Sequence, residues 1–142
     1  IGVRLVGSEM CIRDRPTLTL TSTDATTDQL SFSVTDSLSV TSPLQSMSKV
    51  VATATGGDNI VVPLTGGTIT YFYCRHTGTT DGSTTTTQLV DVEETGDAAF
   101  ARLGPGEFLF LPFCHHAGNV GIQFQVAHAS NVQMEYAFFT KA

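Results

Sequence analysis

From residue 17 onward the chain repeatedly sets an apolar side chain beside a hydroxyl. Thr17-Leu18-Thr19-Leu20-Thr21, Leu30-Ser31-Phe32-Ser33-Val34 and Leu38-Ser39-Val40-Thr41 all alternate strictly. A period of two sends successive side chains to opposite faces of a strand, so Leu, Phe and Val share one face and the hydroxyls the other. The pattern predicts half-buried strands with the apolar face inward. β-Branched threonine suits a pleated surface and hydrates it without charge, which gives the 22 threonines of the chain a structural reason. No ten-residue window combines a helical repeat with caps, so helical folds are set aside.

The same reading extends along the chain. Residues 49–54, 60–64, 68–74, 88–92, 98–103, 108–113, 120–127 and 132–139 read as strands, separated by turn chemistry. Asp36-Ser37 is a turn or a bulge, and Gly56-Gly57-Asp58-Asn59 is a turn cluster. Thr65-Gly66-Gly67-Thr68 predicts a tight hairpin joining 60–64 to 68–74, because Gly-Gly accepts the positive φ such a turn needs. Residues 77–87, threonine-rich and without an apolar anchor, predict an exposed loop. Glu93-Glu94-Thr95-Gly96-Asp97 is a further turn. Gly104-Pro105-Gly106 has the composition of a type II turn, with φ > 0 at the glycine after proline. Short strands with turns every 8–12 residues predict a single antiparallel β-sandwich domain of jelly-roll type. Its expected core is Phe32, Val34, Phe72, Leu103, Phe108, Phe110, Ile122, Phe124 and Tyr136.

The first fifteen residues differ from the rest. They hold Arg4, Glu9, Arg13, Asp14 and Arg15 and no threonine. Ser8-Glu9-Met10-Cys11-Ile12-Arg13-Asp14-Arg15 resembles the peptide read from a translated sequencing adapter. Residues 1–15 are therefore expected to be a non-native or disordered arm, and residues 16–142 the sandwich domain. The apolar h-region of a secretory signal is absent from them. Without Cys11, the body keeps Cys74 and Cys114. Each lies in or beside an apolar strand, where buried free thiols are the expectation.

The net charge of −6, with seven basic residues, argues against a nucleic-acid surface, whose affinity comes from Lys and Arg displacing counterions. The apolar stretch 108–113 contains a proline and is too short for a membrane span. Neither partner is expected. No Gly-x-Ser-x-Gly nucleophile motif occurs, and Gly104-Pro105-Gly106 leads into a strand rather than a phosphate-binding helix.

Pro112-Phe113-Cys114-His115-His116-Ala117-Gly118-Asn119 looks like the second cupin motif. The upstream His-x-His of that family is missing, and only His76 stands in that region. Were the chain a cupin-like metal enzyme, His76, Glu107, His115 and His116 would be its ligand candidates. Adjacent His115 and His116 point to opposite faces of an extended chain, however. A polar turn after an apolar strand is the preferred reading, with no metal and no cofactor. Asp91, Glu93, Glu94 and Asp97 lack the spacing of a calcium loop and read as solvated turn residues. Tyr71 and Tyr73 share one face of their strand, opposite Phe72. With the 77–87 loop they would form the ligand surface of a carbohydrate-binding or adhesive module.

Tyr71-Phe72-Tyr73-Cys74-Arg75, the step Leu103-Gly104-Pro105-Gly106-Glu107, the apolar strand ending at Pro112 and the terminal Met134-Glu135-Tyr136 resemble small all-β virion proteins of tailed phages, especially marine ones. The resemblance covers residues 17–142. His76 departs from it, standing where an asparagine commonly begins the turn. The resemblance implies a non-enzymatic structural protein, a capsid-decoration or tail component located in the virion. Its implied partners are copies of itself and other virion proteins.

Overall fold

A computed structural model describes residues 12–14, 17–23, 30–35, 38–40, 47–55, 60–61, 70–113 and 121–140. The chain divides into two compact units, Ile1–Pro43 with Lys141–Ala142, and Leu44–Thr140. All regular structure among the described residues is β.

The first unit holds two antiparallel pairs. β1 (Ile12–Asp14), inside the segment read as an arm, runs against β4 (Leu38–Val40) with Arg13 opposite Ser39. β2 (Thr17–Ser22) runs against β3 (Leu30–Thr35) with Leu18 opposite Val34 and Leu20 opposite Phe32. The hydroxyl face is knit across the strands, Thr17 to Thr35 at 2.9 Å and Thr19 to Ser33 at 3.3 Å. The alternation thus sets the two faces as expected, but the apolar one is not buried. Leu18, Leu20 and Val34 are 58%, 46% and 60% exposed, so Val34 is no core residue. The side chain of Phe32 lies outside the described residues, as do Asp36 and Ser37.

The second unit is an antiparallel β-sandwich. Its strands are β5 (Ser48–Ala52), β6 (Ile60–Val61), β7 (Thr70–His76), β8 (Val90–Glu94), β9 (Ala99–Leu103), β10 (Phe108–Phe113), β11 (Ile122–Val126) and β12 (Val132–Thr140). One sheet has the order β10-β7-β12-β5 and the other β6-β11-β8-β9. The pairing is nested: β5 with β12, β6 with β11, β7 with β10 and β8 with β9. Only the β8–β9 connection stays within one sheet; each of the others crosses between the two. The expected hairpin between 60–64 and 68–74 is therefore corrected. β6 pairs with β11, while β7 lies in the opposite sheet between β10 and β12. A Gly-Gly step permits a tight turn without requiring one, and β7 finds longer apolar partners elsewhere. The turn residues 56–59 and 65–68 are outside the described residues.

The inner faces interdigitate around Phe72, whose ring centroid is 5.0 Å from Phe138, 6.3 Å from Phe124 and 6.4 Å from Phe113. Aromatic contacts of this kind contribute about 0.5–1.5 kcal/mol each beyond the area they bury. Phe72, Leu103, Ile122 and Phe124 are buried as expected, and Tyr136 packs half-buried against them. Phe108 and Phe110 are corrected: at 61% and 40% exposure they face outward. β10 is an edge strand with apolar residues at every position, so one of its two faces must leave the core.

Two local devices complete the frame. Glu107 N–H donates to Gly104 C=O at 3.0 Å and Gly106 has φ +82°, the type II turn expected at Gly104-Pro105-Gly106. In the β8–β9 ladder Val92 faces Ala101 and Glu93 faces Ala99, leaving Phe100 as an unpaired bulge residue. A bulge re-aims a side chain, and here Phe100 stacks on Phe113 at 6.4 Å, on the other sheet.

Candidate functional site

β7 alternates between two environments, and both bear on function. Phe72, Cys74 and His76 point into the sandwich and are fully buried. Tyr71, Tyr73 and Arg75 take the opposite face.

His76 is the one buried polar side chain among the described residues. Its Nδ1 accepts the Gly78 backbone N–H at 2.9 Å, so that nitrogen carries no proton. Nε2 then bears the hydrogen and donates to the Gln88 carbonyl, also at 2.9 Å. Its backbone N–H donates to Glu107 C=O at 2.9 Å, and its C=O accepts Gly106 N–H at 3.0 Å. One residue thereby joins the start of the 77–87 loop, its end, and the turn before β10. The bond to Gly78 reproduces what an asparagine at this position makes with the residue two further on.

The loop so anchored has structure of its own. Thr77 N–H and Oγ1 both donate to Gln133 C=O, at 3.2 and 2.8 Å, and Gln133 N–H donates to Thr79 C=O at 2.8 Å. At its tip the Asp81 carboxylate accepts four bonds, from the N–H and hydroxyl of Ser83 and of Thr84, between 2.8 and 3.0 Å. Those donors favour the ionised form and hold Asp81 well below the usual carboxylate range. The loop is exposed at 81–85, as expected from composition.

The cupin-like candidates arrive in different settings. His76 and Glu107 are neighbours through the backbone, yet both ring nitrogens of His76 are engaged within the fold. The Glu107 carboxylate turns back to accept Gly104 N–H at 2.7 Å. His115, His116 and Cys114 lie outside the described residues. Among the described residues no three His, Cys, Asp or Glu side chains gather where a metal ion could be held. Of the acidic candidates, Asp91 takes two bonds from Arg102, at 2.5 and 2.9 Å. Glu93 is raised by loss of hydration first and by the Asp91 charge second. Cys74 is a free, buried thiol whose pKa burial pushes up to about 12, so it is not a nucleophile at neutral pH.

The outer faces of the two sheets contrast. On the β6-β11-β8-β9 sheet, Asp91 stands between Arg102 and Gln125, and Glu93 opposite Gln123, a polar surface. On the other, Tyr73 stands between Phe110 and Ala137, and Tyr71 between Pro112 and Phe139. Phe110 stacks on Tyr71 at 5.4 Å and tilts against Phe139 at 6.5 Å. Tyr71 is buried beneath this layer and Tyr73 half-buried, while Phe108 and Phe110 stand proud. The pair proposed as a ligand surface therefore belongs to a wider aromatic face. The apolar pattern of β10 alone places Phe108 and Phe110 in the core and so conceals that face. Pro112 was the available signal, since proline inside a sheet is confined to edges, bulges or strand starts. No family model, curated protein or solved structure matches the chain.

Proposed function

We propose that this chain is a non-enzymatic structural protein of a virion, a capsid-decoration or tail component that binds copies of itself and other virion proteins. The observation that carries self-association is the aromatic outer face of the β10-β7-β12-β5 sheet. Clustered exposed apolar side chains of this kind mark interaction surfaces, and the matching face of the other sheet is polar. The virion setting is what the resemblance of residues 17–142 implies. The nested pairing of β5 through β12 supports the jelly-roll reading, an architecture used by viral capsid domains. Lectins and cupins use it too, so the choice rests on the surface and not on the fold.

Two measurements test this. Sedimentation equilibrium of the full chain is expected to give a multiple of 15.1 kDa. The Phe108→Ser/Phe110→Ser variant is expected to be monomeric with an unchanged β-sheet circular dichroism spectrum. A wild-type monomer at every concentration overturns self-association. For the setting, purified particles of a tailed phage whose DNA encodes the chain are expected to yield the tryptic peptide 76–102. Its absence from particles whose DNA encodes the chain overturns the virion reading.

A further inference from the structure

We propose that Asp81-Gly82 is a latent modification site: this step isomerises through a cyclic succinimide only when the 77–87 loop releases both of its reacting groups. The inference rests on this loop and its anchor on β12, and is independent of self-association.

The chemistry is set by the sequence. Asp81-Gly82 is the single Asp-Gly step of the chain, and no Asn-Gly occurs. In such a step the Gly82 amide nitrogen attacks Cγ of Asp81. A C–N bond forms, a carboxyl C–O bond breaks, and the displaced oxygen leaves as water with the amide proton. Water then reopens the five-membered ring. Addition at Cγ restores aspartate, whereas addition at the Asp81 main-chain carbonyl leaves the chain running through the side chain as isoaspartate. Atoms and mass are unchanged overall, and nothing is oxidised or reduced. Glycine suits this chemistry because it puts no side chain in the path of attack and has the backbone freedom that ring closure needs.

The fold commits each reactant to another partner. Asp81 Oδ1 accepts the Ser83 N–H, the Ser83 hydroxyl and the Thr84 N–H, and Oδ2 accepts the Thr84 hydroxyl. The carboxylate is thus bonded to the two residues beyond the nitrogen that would attack it. That nitrogen is engaged as well, since Gly82 N–H donates to Thr79 Oγ1 at 3.1 Å. Bringing Cγ and the nitrogen together breaks bonds on both sides. An ionised carboxylate also expels oxygen poorly, and the same four donors hold Asp81 well below the usual carboxylate range.

The surrounding frame is closed on itself. Thr79 and Thr85 form an antiparallel bridge, Thr80 N–H donates to Thr84 C=O at 2.9 Å, and Thr86 N–H donates to Gly78 C=O at 2.9 Å. From β12, Gln133 N–H holds Thr79 C=O at 2.8 Å. A Cβ added at Gly82 would stand 3.3 Å from the end of the Gln133 side chain, so the tip has a neighbour there too. Residues 81–85 are nevertheless exposed, and water reaches them freely. The guard is therefore bonding and not burial, and it is lost whenever the loop opens locally.

The test incubates the native full chain at neutral pH beside its own tryptic peptide 76–102, which carries the same step without the fold. Isoaspartate at position 81 is then quantified by chromatographic separation of the isomeric peptides and electron-transfer fragmentation. The native chain reacts only through its locally open fraction, so it is expected to isomerise at least about tenfold more slowly than the peptide. A native rate equal to that of the peptide overturns the guard. A peptide that isomerises no faster at Asp81 than at Asp91 or Asp97 overturns the choice of site. The variant Thr79→Val/Ser83→Ala/Thr84→Val removes three hydroxyl partners and leaves the Asp-Gly step intact. It is expected to isomerise several-fold faster than wild type in the folded chain, with an unchanged β-sheet circular dichroism spectrum and an unchanged rate in its own peptide 76–102. A folded variant as slow as wild type overturns the role of these bonds, and the comparison of wild-type chain with peptide stands whether or not the variant folds.

Discussion

Replacing His76 by leucine tests whether this residue is the structural joint its four hydrogen bonds describe. Leucine has similar bulk and leaves the backbone bonds to Glu107 and Gly106 in place. What disappears are the two ring contacts, leaving Gly78 N–H and Gln88 C=O, both on half-buried residues, without the imidazole. An orphaned buried donor or acceptor costs about 1–3 kcal/mol, and partial access to water holds each of these near the lower end. A net loss of about 2–3 kcal/mol is still a large share of the roughly 5–15 kcal/mol that stabilises an ordinary domain. Asparagine separates the two contacts. Its carbonyl accepts the Gly78 N–H in an Asx turn but is too short to reach Gln88, so His76→Asn is expected to cost about 1–3 kcal/mol. Urea denaturation of the three full-length proteins, followed by circular dichroism, should rank them wild type, asparagine, leucine. The slope of each transition should be unchanged, because a local defect does not alter the surface exposed on unfolding. The reasoning is refuted if leucine falls within 1 kcal/mol of wild type, or if asparagine is no better than leucine.

Three further outcomes follow from the same structure. Gly106→Val should destabilise by about 1–3 kcal/mol and Gly106→Asn by much less. A Cβ there meets nothing within 4 Å, so the cost is purely the positive φ that asparagine tolerates and a β-branched residue does not; equal melting temperatures for the two variants contradict this. Cys74, buried with its thiol raised to about 12, should resist alkylation by iodoacetamide at pH 8 in the native protein and react promptly in urea. Native alkylation at the unfolded rate, read by peptide mass, would show the thiol to be open. Asp81 has a depressed folded pKa, so the order it lends the loop is complete above the unfolded value and fades as pH falls through the folded one. Its side-chain carboxyl ¹³C titration should have a midpoint below the ordinary value of about 3.9, and a midpoint at or above that value removes the four-bond cap.

Strand positions were readable because their causes are local. Alternation, the Gly104-Pro105-Gly106 step and the anchorless 77–87 run each act within a few residues. β9 to β12 accordingly form within two residues of where the pattern put them. Partnership is a different kind of information. Gly66-Gly67 offers a hairpin, yet β6 and β7 lie in opposite sheets, because pairing is decided by which strands can complete each other's buried faces. Of the site, the opposition of Phe72 to Tyr71 and Tyr73 follows from a period of two. The double engagement of His76 does not, since Gln88 reaches it only once the loop has closed.

The misplaced core residues share a cause that also bears on function. Period two states which side chains lie together; it does not state that the same chain covers them. The expectation that places Val34 on β3 inward, with Phe108 and Phe110 on β10, rests on apolar faces being ordinarily buried. All three side chains are exposed. β10 makes the point most sharply. Phe108, Phe110 and Pro112 alternate with Leu109, Leu111 and Phe113, and only the second set faces the sandwich. An edge strand apolar on both sides buries one face in its own core and offers the other to a partner. Exposed edges and apolar faces invite association and are ordinarily blunted by charge, as Asp91, Glu93 and Arg102 do on the other sheet. Around Phe110 the charge stands only at the margin, on Arg75: Tyr71 and Phe139 pack directly against the Phe110 ring, and this aromatic cluster is the surface on which the proposed self-association rests.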